Sequence, residues 1–130
     1  MKVHKQKHNP ALVAAFFASY GIPKPEFEYR FHDVRKWRFD IAWPGCCIEI
    51  EGPPTVADFG RTTVVKKPVY LEVQGGIWMG GGHNRGAQMK KDWEKYNAAT
   101  ELGWRPLFCE PRDLMTREMA ETIRKALCLT

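Results

Sequence analysis

No cysteine-based motif is present in this sequence. The 130 residues include four cysteines, and no pair has the C-x-x-C spacing of zinc or thiol redox sites. A zinc site would therefore need distant histidines. We expect buried, reduced thiols and a cytoplasmic protein. The cysteines are Cys46, Cys47, Cys109 and Cys128.

Long apolar runs are also missing. No stretch approaches the roughly 20 apolar residues that a membrane span needs. The basic residues 1–10 lead into an alanine-rich segment without an export cleavage pattern. Internal repeats, low-complexity linkers and the G-K-[ST] end of a nucleotide-binding P-loop are absent as well. These absences predict one domain over residues 1–130, with no membrane partner.

Basic residues are in excess. The chain carries 20 Lys and Arg against 15 Asp and Glu, a formal net charge of +5. This excess favours a polyanionic partner, most simply nucleic acid. The basic residues gather in the segments Lys2–Lys7, Arg30–Arg38, Lys66–Lys67 and Arg85–Lys95.

The hydrophobic periodicity predicts an α/β fold with a mixed central sheet flanked by helices. We expect the order α-β-β-β-α-β-α, with three or four mostly antiparallel strands before the second helix and a loop or hairpin arm inserted at about 52–68. Pro106 restricts the last strand to a sheet edge or a bulge. Helices are predicted at about 10–20, 87–102 and 116–127, and extended segments at 27–31, 37–43, 46–51, 69–74 and 104–109.

Apolar side chains alternate regularly along the first two strands. The pattern predicts that Phe27, Tyr29 and Phe31 share one face of the first strand. On the second strand, one face should carry Trp37, Phe39, Ile41 and Trp43. The helical period of residues 87–102 predicts an apolar side that consists of Met89, Trp93, Tyr96 and Thr100.

An aspartate stands in the middle of the second strand. Asp40 is unusual there because aspartate is depleted in strands. One interpretation is a solvent-facing residue paired with Arg30 or Arg38, and the other is a functional carboxylate. Asp40 and Glu72, on separate strands, could converge on a magnesium ion, which prefers oxygen ligands.

Other polar residues surround this carboxylate pair in the pattern. Gln74 shares a strand face with Glu72 and could orient an attacking water or a phosphate oxygen. Glu28 could serve as a further ligand or as a base. The glycine-rich segment 75–86 carries His83 and Arg85, and is either a phosphate-binding loop or simply a mobile one.

Several segments carry a family resemblance, in the order FEYRFHDVRKWRFDIAWP, LEVQGGIW, GGHNRG, KDWEKYNAA and LGWRPLF. Together they resemble the small phage and prophage nucleases of the PD-(D/E)XK superfamily, which have the restriction-endonuclease-like fold. The resemblance implies a Mg²⁺-dependent DNA endonuclease, with Mn²⁺ as a substitute, in the cytoplasm of a bacterial host cell. It also implies that Asp40 is the motif aspartate, and that Glu72 and Gln74 occupy the E-x-K positions.

The chain departs from the superfamily pattern at position 74, where lysine is usual. The resemblance implies that a helix lysine replaces it, with Lys95 first and Lys91 second. It also makes Glu28 the acidic residue that precedes the motif aspartate. The residues expected to contact DNA are Arg38, His83, Arg85, Lys90 and Lys91.

An insertion before Glu72 leaves two questions open. Glu49 and Glu51 form a second acidic strand that could replace Glu72, although the segment after Glu72 matches better. If the insertion is an arm, its basic residues Arg61, Lys66 and Lys67 could clamp DNA or form a dimer contact.

Two further functional interpretations stay open beside the branched- or nicked-DNA endonuclease. The chain could bind nucleic acid on the same fold with weak or no catalysis, since the lysine at position 74 is missing. Alternatively, it could be a protein-interaction factor whose charge is merely solubilising. A double-strand cut would require two sites, and so a homodimer.

Overall fold

The computed structural model describes residues 8–51, 60–75 and 85–129, with the backbone alone at 50, 51 and 85. Within these ranges it is an α/β fold with three α-helices and a mixed sheet, which confirms the predicted class. The elements are α1 (Pro10–Ser19), β1 (Glu26–Arg30), β2 (Arg38–Trp43), β3 (Cys47–Glu51), β4 (Thr62–Lys66), β5 (Val69–Val73), α2 (Arg85–Glu101), β6 (Arg105–Cys109), a 3₁₀ turn (Pro111–Asp113) and α3 (Arg117–Ala126).

The helix ends are set by local capping. The Asn9 side chain accepts a 3.0 Å hydrogen bond from the Ala11 amide, and Pro10 fills the first turn of α1. The Thr116 hydroxyl accepts from the Met119 amide at the start of α3. Gly103, with φ of +89°, reverses the chain after α2 into a conformation that favours glycine.

The central sheet has the strand order β1-β2-β5-β6. The first three strands are antiparallel, while β6 runs parallel to β5 after the crossover through α2. Because β6 is an edge strand, Pro106 removes no hydrogen bond from the interior of the sheet. The edge position predicted from Pro106 is therefore confirmed.

The strand at 46–51 does not belong to the central sheet, contrary to the prediction. β3 pairs with β4 in a separate two-stranded sheet, which we call the arm, from Cys47↔Lys66 to Glu51↔Thr62. The physical reason is that β1 and β5 already occupy both sides of β2, so β3 finds no free edge there. The arm thus begins at Cys47 rather than at 52, and 52–59 lie outside the described residues.

Two apolar clusters pack against the central sheet. The first lies among the sheet, α1 and α3, and includes the buried residues Val13, Phe17, Ile41, Leu71, Val73 and Ile123. The second is formed with α2 and comprises Phe39, Ala42, Tyr70, Ala99 and Trp104, with Tyr29, Phe31 and Tyr96 against it. The sheet therefore separates a mixed aliphatic and aromatic cluster from a mainly aromatic one.

Four aromatic rings of the second cluster form a stack together with Trp37, and we call this stack the ring column. Its central rings, Phe31, Phe39 and Tyr70, are nearly parallel, with centroid distances of 4.0 and 3.9 Å. Trp37 extends the stack at one end with its centroid 6.1 Å from that of Phe31, and Tyr96 extends it at the other, 6.2 Å from Tyr70. The ring column therefore links the β1–β2 turn to α2.

The expected alternation breaks in the middle of β1 and β2. Phe27 and Ile41 pack in the first cluster, whereas Tyr29 and Phe39 pack in the second. The prediction that each strand keeps its aromatic residues on one face is therefore wrong. On β1 the reason is local: Glu28 adopts a φ of 49°, which is rare for a residue with a side chain and interrupts the pleat.

Two further apolar expectations are corrected. On α2, Met89 and Trp93 are 44% and 53% exposed and Thr100 is exposed too, whereas the apolar residues Tyr96 and Ala99 turn toward the sheet. The four cysteines are free but not buried: Cys47 and Cys128 are exposed, and Cys46 and Cys109 are half-buried. Each short segment places only some of its apolar side chains inward.

Among the described residues, no helix combines the length and the apolar character needed to cross a membrane.

Candidate active site

Asp40 and Glu72 face each other across neighbouring strands. β2 and β5 pair Ile41 with Leu71 and Ala42 with Tyr70, Asp40 and Glu72 are the next residues on the two strands, and their carboxyl groups interact with each other. Their exposed fractions are 8% and 4%, and they are the two buried charged residues in the described part of the chain. Carboxylates are rarely buried without a partner, so this pair needs a physical explanation.

A backbone amide holds the carboxylate of Asp40. The Val73 N–H donates a 2.7 Å hydrogen bond to Asp40 Oδ2. This contact bridges β2 and β5 and fixes the direction of the carboxylate. The solvent-facing alternative for Asp40 is therefore wrong, and Arg38 lies exposed at the start of β2.

Glu72 is paired with the helix lysine that the sequence singled out. The Lys95 ammonium donates a short hydrogen bond to Glu72 Oε1, and the two side chains are only 16% and 5% exposed. Burial raises the pKa of Glu72 to about 7, because Lys95 only partly offsets the loss of hydration and Asp40 adds repulsion. The ammonium also lies 5.7 Å above the centroid of the Phe39 ring.

Gln74 leaves the sheet directly beside this pair. Its backbone N–H donates to the Cys109 carbonyl at 2.8 Å, which continues the β5–β6 pairing by one residue. Its side-chain Nε2 donates to the Tyr96 hydroxyl at 2.5 Å. A side chain at the next residue, Gly75, would bring its Cβ within 3.2 Å of the Pro111 ring. At least this glycine thus serves close packing.

Glu28 stands on the other side of Asp40. The pairs Phe27↔Ile41 and Tyr29↔Phe39 flank Glu28 and Asp40, so the backbones of three acidic residues lie in a row across β1, β2 and β5. Glu28 is half-buried. Among the described residues, however, no group of three or more His, Cys, Asp or Glu side chains is arranged to hold a metal ion. The row is therefore not a three-ligand site.

The competing acidic strand lies elsewhere. Glu49 is exposed on the arm, where it is paired with Val64 rather than with a residue of the central sheet. The side chain of Glu51 lies outside the described residues. The register of β2 and β5 thus leaves Glu72 as the partner of Asp40.

The described basic residues expected to contact DNA are distributed over three regions, namely the start of β2 with the exposed Arg38, α2, and the arm. Lys90 and Lys91 are exposed on the first half of α2, whereas Lys95 is turned inward to Glu72. Arg85 is the first residue of α2, and its side chain, like all of His83, lies outside the described residues. Arg61 and Lys66 are exposed on or next to the arm, and Lys67 is half-buried.

The sequence did not single out Tyr96 as a site residue, although it was recognised as apolar on α2. Its hydroxyl pKa is raised well above the usual range by burial, and further by the nearby charge of Glu72. The available signal was its position next to Lys95, one residue along the helix. That adjacency predicts proximity to the sheet but not a hydrogen bond to Gln74.

The two carboxylates fit a divalent cation. Mg²⁺ is commonly held by one or two carboxylates together with water and substrate phosphate. Asp40 and Glu72 supply that number of carboxylate oxygen donors. No protein-family model, no curated protein and no solved structure matches the chain.

Proposed function

We propose that this protein is a hydrolase, a magnesium-dependent endonuclease that cleaves phosphodiester bonds in DNA. Branched and nicked DNA are the forms to test first, and Mn²⁺ is expected to substitute for Mg²⁺. The proposal includes the finer expectations from the sequence, namely a PD-(D/E)XK nuclease with the restriction-endonuclease-like fold, a homodimer, and action in a bacterial cytoplasm.

One observation carries the proposal: two buried carboxylates face each other beside a buried lysine. A protein gains little stability from such a group, since burying charges costs more than a matched apolar set would. Asp40, Glu72 and Lys95 lie on three different elements, which a purely local ion pair would not require. Charged groups brought together in this way are typical of catalytic sites.

The proposed reaction is hydrolysis of a phosphodiester. A bond forms between a water oxygen and phosphorus, one ester P–O bond breaks, a water proton passes to solvent, and the leaving oxygen takes up a proton. A bound divalent cation lowers the pKa of that water and offsets charge on the phosphate. Asp40 and Glu72 would hold the cation.

Lys95 and Gln74 would assist beside the carboxylates. Lys95 balances the negative charge of Glu72, to which it is bound. Once a cation takes over this role, the ammonium is available for a phosphate oxygen, as a motif lysine would be. Gln74 lies at the end of the same strand as Glu72 and would orient the water.

The experiment is cleavage of supercoiled plasmid and of linear, nicked, flapped and four-way DNA with Mg²⁺ or Mn²⁺. We expect nicking or cutting that EDTA stops. Asp40→Asn and Glu72→Gln keep side-chain volume while removing a charge, and each should lower the rate at least about 100-fold. Cleavage by Asp40→Asn at the wild-type rate would refute the assignment.

Matched controls are available on the surface. Asp33→Asn removes a carboxylate whose side chain is 91% exposed, and Glu101→Gln removes one from the exposed end of α2. Both variants should cleave at the wild-type rate. A loss in these controls would trace the effect to net charge instead of to the carboxylate pair.

A second candidate function is DNA binding with weak or no catalysis. The observation that favours it is that Lys95 already neutralises Glu72, while no three-ligand metal group occurs among the described residues. This candidate predicts that wild type and the Asp40→Asn, Glu72→Gln double variant bind DNA equally well and that neither cuts. Metal-dependent cleavage by the wild type would exclude it.

A further inference from the structure

We propose that Tyr96 is a positioning residue of this site, which holds the Gln74 side-chain amide by its nitrogen and thereby presents the amide oxygen as an acceptor for water. This inference rests on the proposed endonuclease function. It assigns Gln74 a role opposite to that of the lysine usual at the position, because a lysine ammonium only donates hydrogen bonds.

The contact that carries the inference spans two elements. Gln74 Nε2 donates to the Tyr96 hydroxyl at 2.5 Å, from the end of β5 to the middle of α2, in a partly buried position. A side-chain amide has its nitrogen and its oxygen on opposite sides of one carbon. Fixing the nitrogen on Tyr96 therefore directs the oxygen away from that hydroxyl.

The tyrosine can hold the amide because its own ring is fixed. Tyr96 stacks on Tyr70 with an interplanar angle of 11°, and it meets the edge of Phe108 at 82° with centroids 5.4 Å apart. These two contacts restrain the ring in different directions. The hydroxyl is thus a fixed point, and the amide that it binds loses most of its rotational freedom.

The direction of the hydrogen bond agrees with the surrounding charge. Burial and the charge of Glu72 keep the Tyr96 hydroxyl protonated, since both raise its pKa. A neutral hydroxyl has one hydrogen and can still accept, so it can receive the amide N–H of Gln74.

This arrangement assigns different roles to Lys95 and Gln74. Lys95, already on Glu72, supplies the positive charge that a motif lysine would bring. Gln74 is left to accept a hydrogen from the attacking water and so to align the water with phosphorus. Tyr96 touches neither water nor phosphate and acts only through Gln74.

The first test is Tyr96→Phe, which removes the hydroxyl and keeps the ring. We expect kcat on nicked plasmid to fall about 10- to 100-fold, as misalignment of a reacting group does. KM and the DNA dissociation constant should stay within about twofold of the wild-type values, because no DNA contact is lost. The matched control is Tyr29→Phe, which removes a hydroxyl from the same aromatic cluster and should leave kcat unchanged.

A double-mutant cycle separates positioning from a general effect on packing. If Tyr96 acts through Gln74, Tyr96→Phe should change kcat by less than about twofold when Gln74→Ala is already present. If the losses in kcat caused by the two single substitutions multiplied in the double variant, the inference would be overturned. An undiminished kcat in Tyr96→Phe while the wild type cleaves would overturn it too.

A third measurement does not depend on cleavage. The side-chain amide of Gln74 should give two well-separated proton signals in a ¹⁵N-correlated NMR spectrum, one of them protected from exchange. Tyr96→Phe should abolish this protection and Tyr29→Phe should retain it. An unchanged Gln74 signal in Tyr96→Phe would refute the contact, whereas a wild type that never cleaves would refute the proposed function and this inference together.

Discussion

Glu72 is held between two opposing influences. Burial and the nearby Asp40 favour its neutral form, while the Lys95 ammonium favours its ionised form. The strand register creates this situation, because opposite residues of antiparallel strands have their side chains close together. The outcome, a pKa of about 7, makes Glu72 sensitive to pH near neutrality.

The raised pKa of Glu72 predicts a pH-dependent stability. Between its ordinary pKa of 4.5 and about 7, the folded chain binds more protons at this carboxyl than the unfolded chain. The free energy of unfolding should therefore fall as pH rises through this window, with a contribution of at most about 1.4 kcal/mol per pH unit. Urea titrations at a series of pH values, with EDTA present, measure this slope.

The control is the same titration on Glu72→Gln. That variant should lose the contribution of Glu72 and show a flatter profile between pH 5 and 7, while Glu101→Gln should keep the wild-type profile. Identical profiles for wild type and Glu72→Gln would contradict a raised pKa.

At the level of elements, the break in β1 decides how the sheet divides its side chains. Glu28, with its φ of 49°, lies between Phe27 of the first cluster and Tyr29 of the second. Without this break, β1 would place both aromatic residues on one face. The backbone conformation of one residue thus supplies a ring on each side of the sheet.

The backbone of Glu28 predicts an unusual order of stability between two variants. In a regular strand, alanine is more stable than glycine by roughly 0.5–1 kcal/mol. At a positive φ the order reverses, and we expect the free energy of unfolding of Glu28→Gly to exceed that of Glu28→Ala by about 1 kcal/mol. Both variants lose the carboxylate, so their difference isolates the backbone. Urea unfolding gives the comparison, and a more stable alanine variant would contradict a strained β1.

Several elements could be predicted from the sequence because their signals are local. Asn9 and Pro10 mark the start of α1, and the apolar period of α3 places Met119 and Ile123 inward, as observed. The membership of β3 in a separate sheet could not be predicted, since it depends on which edges of β2 are already occupied. The positive φ of Glu28 has no local signature either, because glutamate seldom adopts it.

Part of the candidate site could also be predicted from the sequence. Family resemblance singled out Asp40, Glu72 and Lys95, and the structure brings Asp40 opposite Glu72 and Lys95 onto Glu72. The role of Tyr96 depends on how α2 lies over the sheet, which periodicity does not specify to within a hydrogen bond. The sequence also gave no sign that the Val73 amide would bind Asp40.

For the whole molecule, the positions of the charged residues say more about DNA binding than the net charge does. Lys90 and Lys91 are exposed on α2, on the side of the sheet where Glu72 meets Lys95. Lys125 is exposed on α3, which packs with the other cluster. DNA approaching the carboxylate pair would therefore meet the lysines of α2 and not those of α3.

This arrangement predicts a localised salt dependence of DNA binding. Each phosphate contact contributes about 0.9 to the slope of log K against log salt. The double variant Lys90→Gln, Lys91→Gln should reduce the slope by about 2 and weaken binding to all sequences alike. The measurement is fluorescence anisotropy with labelled DNA at several salt concentrations.

The matched control for this charge change is Lys24→Gln with Lys125→Gln. Both lysines are exposed, and the same two charges are removed. Its slope should equal that of the wild type. Equal losses in the two double variants would mean that net charge alone governs binding, and a wild type with no salt dependence would favour the protein-interaction interpretation.

The ring column also gives the candidate site an optical signal. Aromatic side chains contribute to near-ultraviolet circular dichroism only when packing holds them in one asymmetric arrangement. Phe39 and Tyr70 stack with centroids 3.9 Å apart, and Lys95 lies over the Phe39 ring. The aromatic rings of this region and the Lys95 ammonium that pairs with Glu72 therefore pack against each other in one unit. The near-ultraviolet spectrum consequently includes a label-free signal from the ring column, separate from the helical signal of the far ultraviolet.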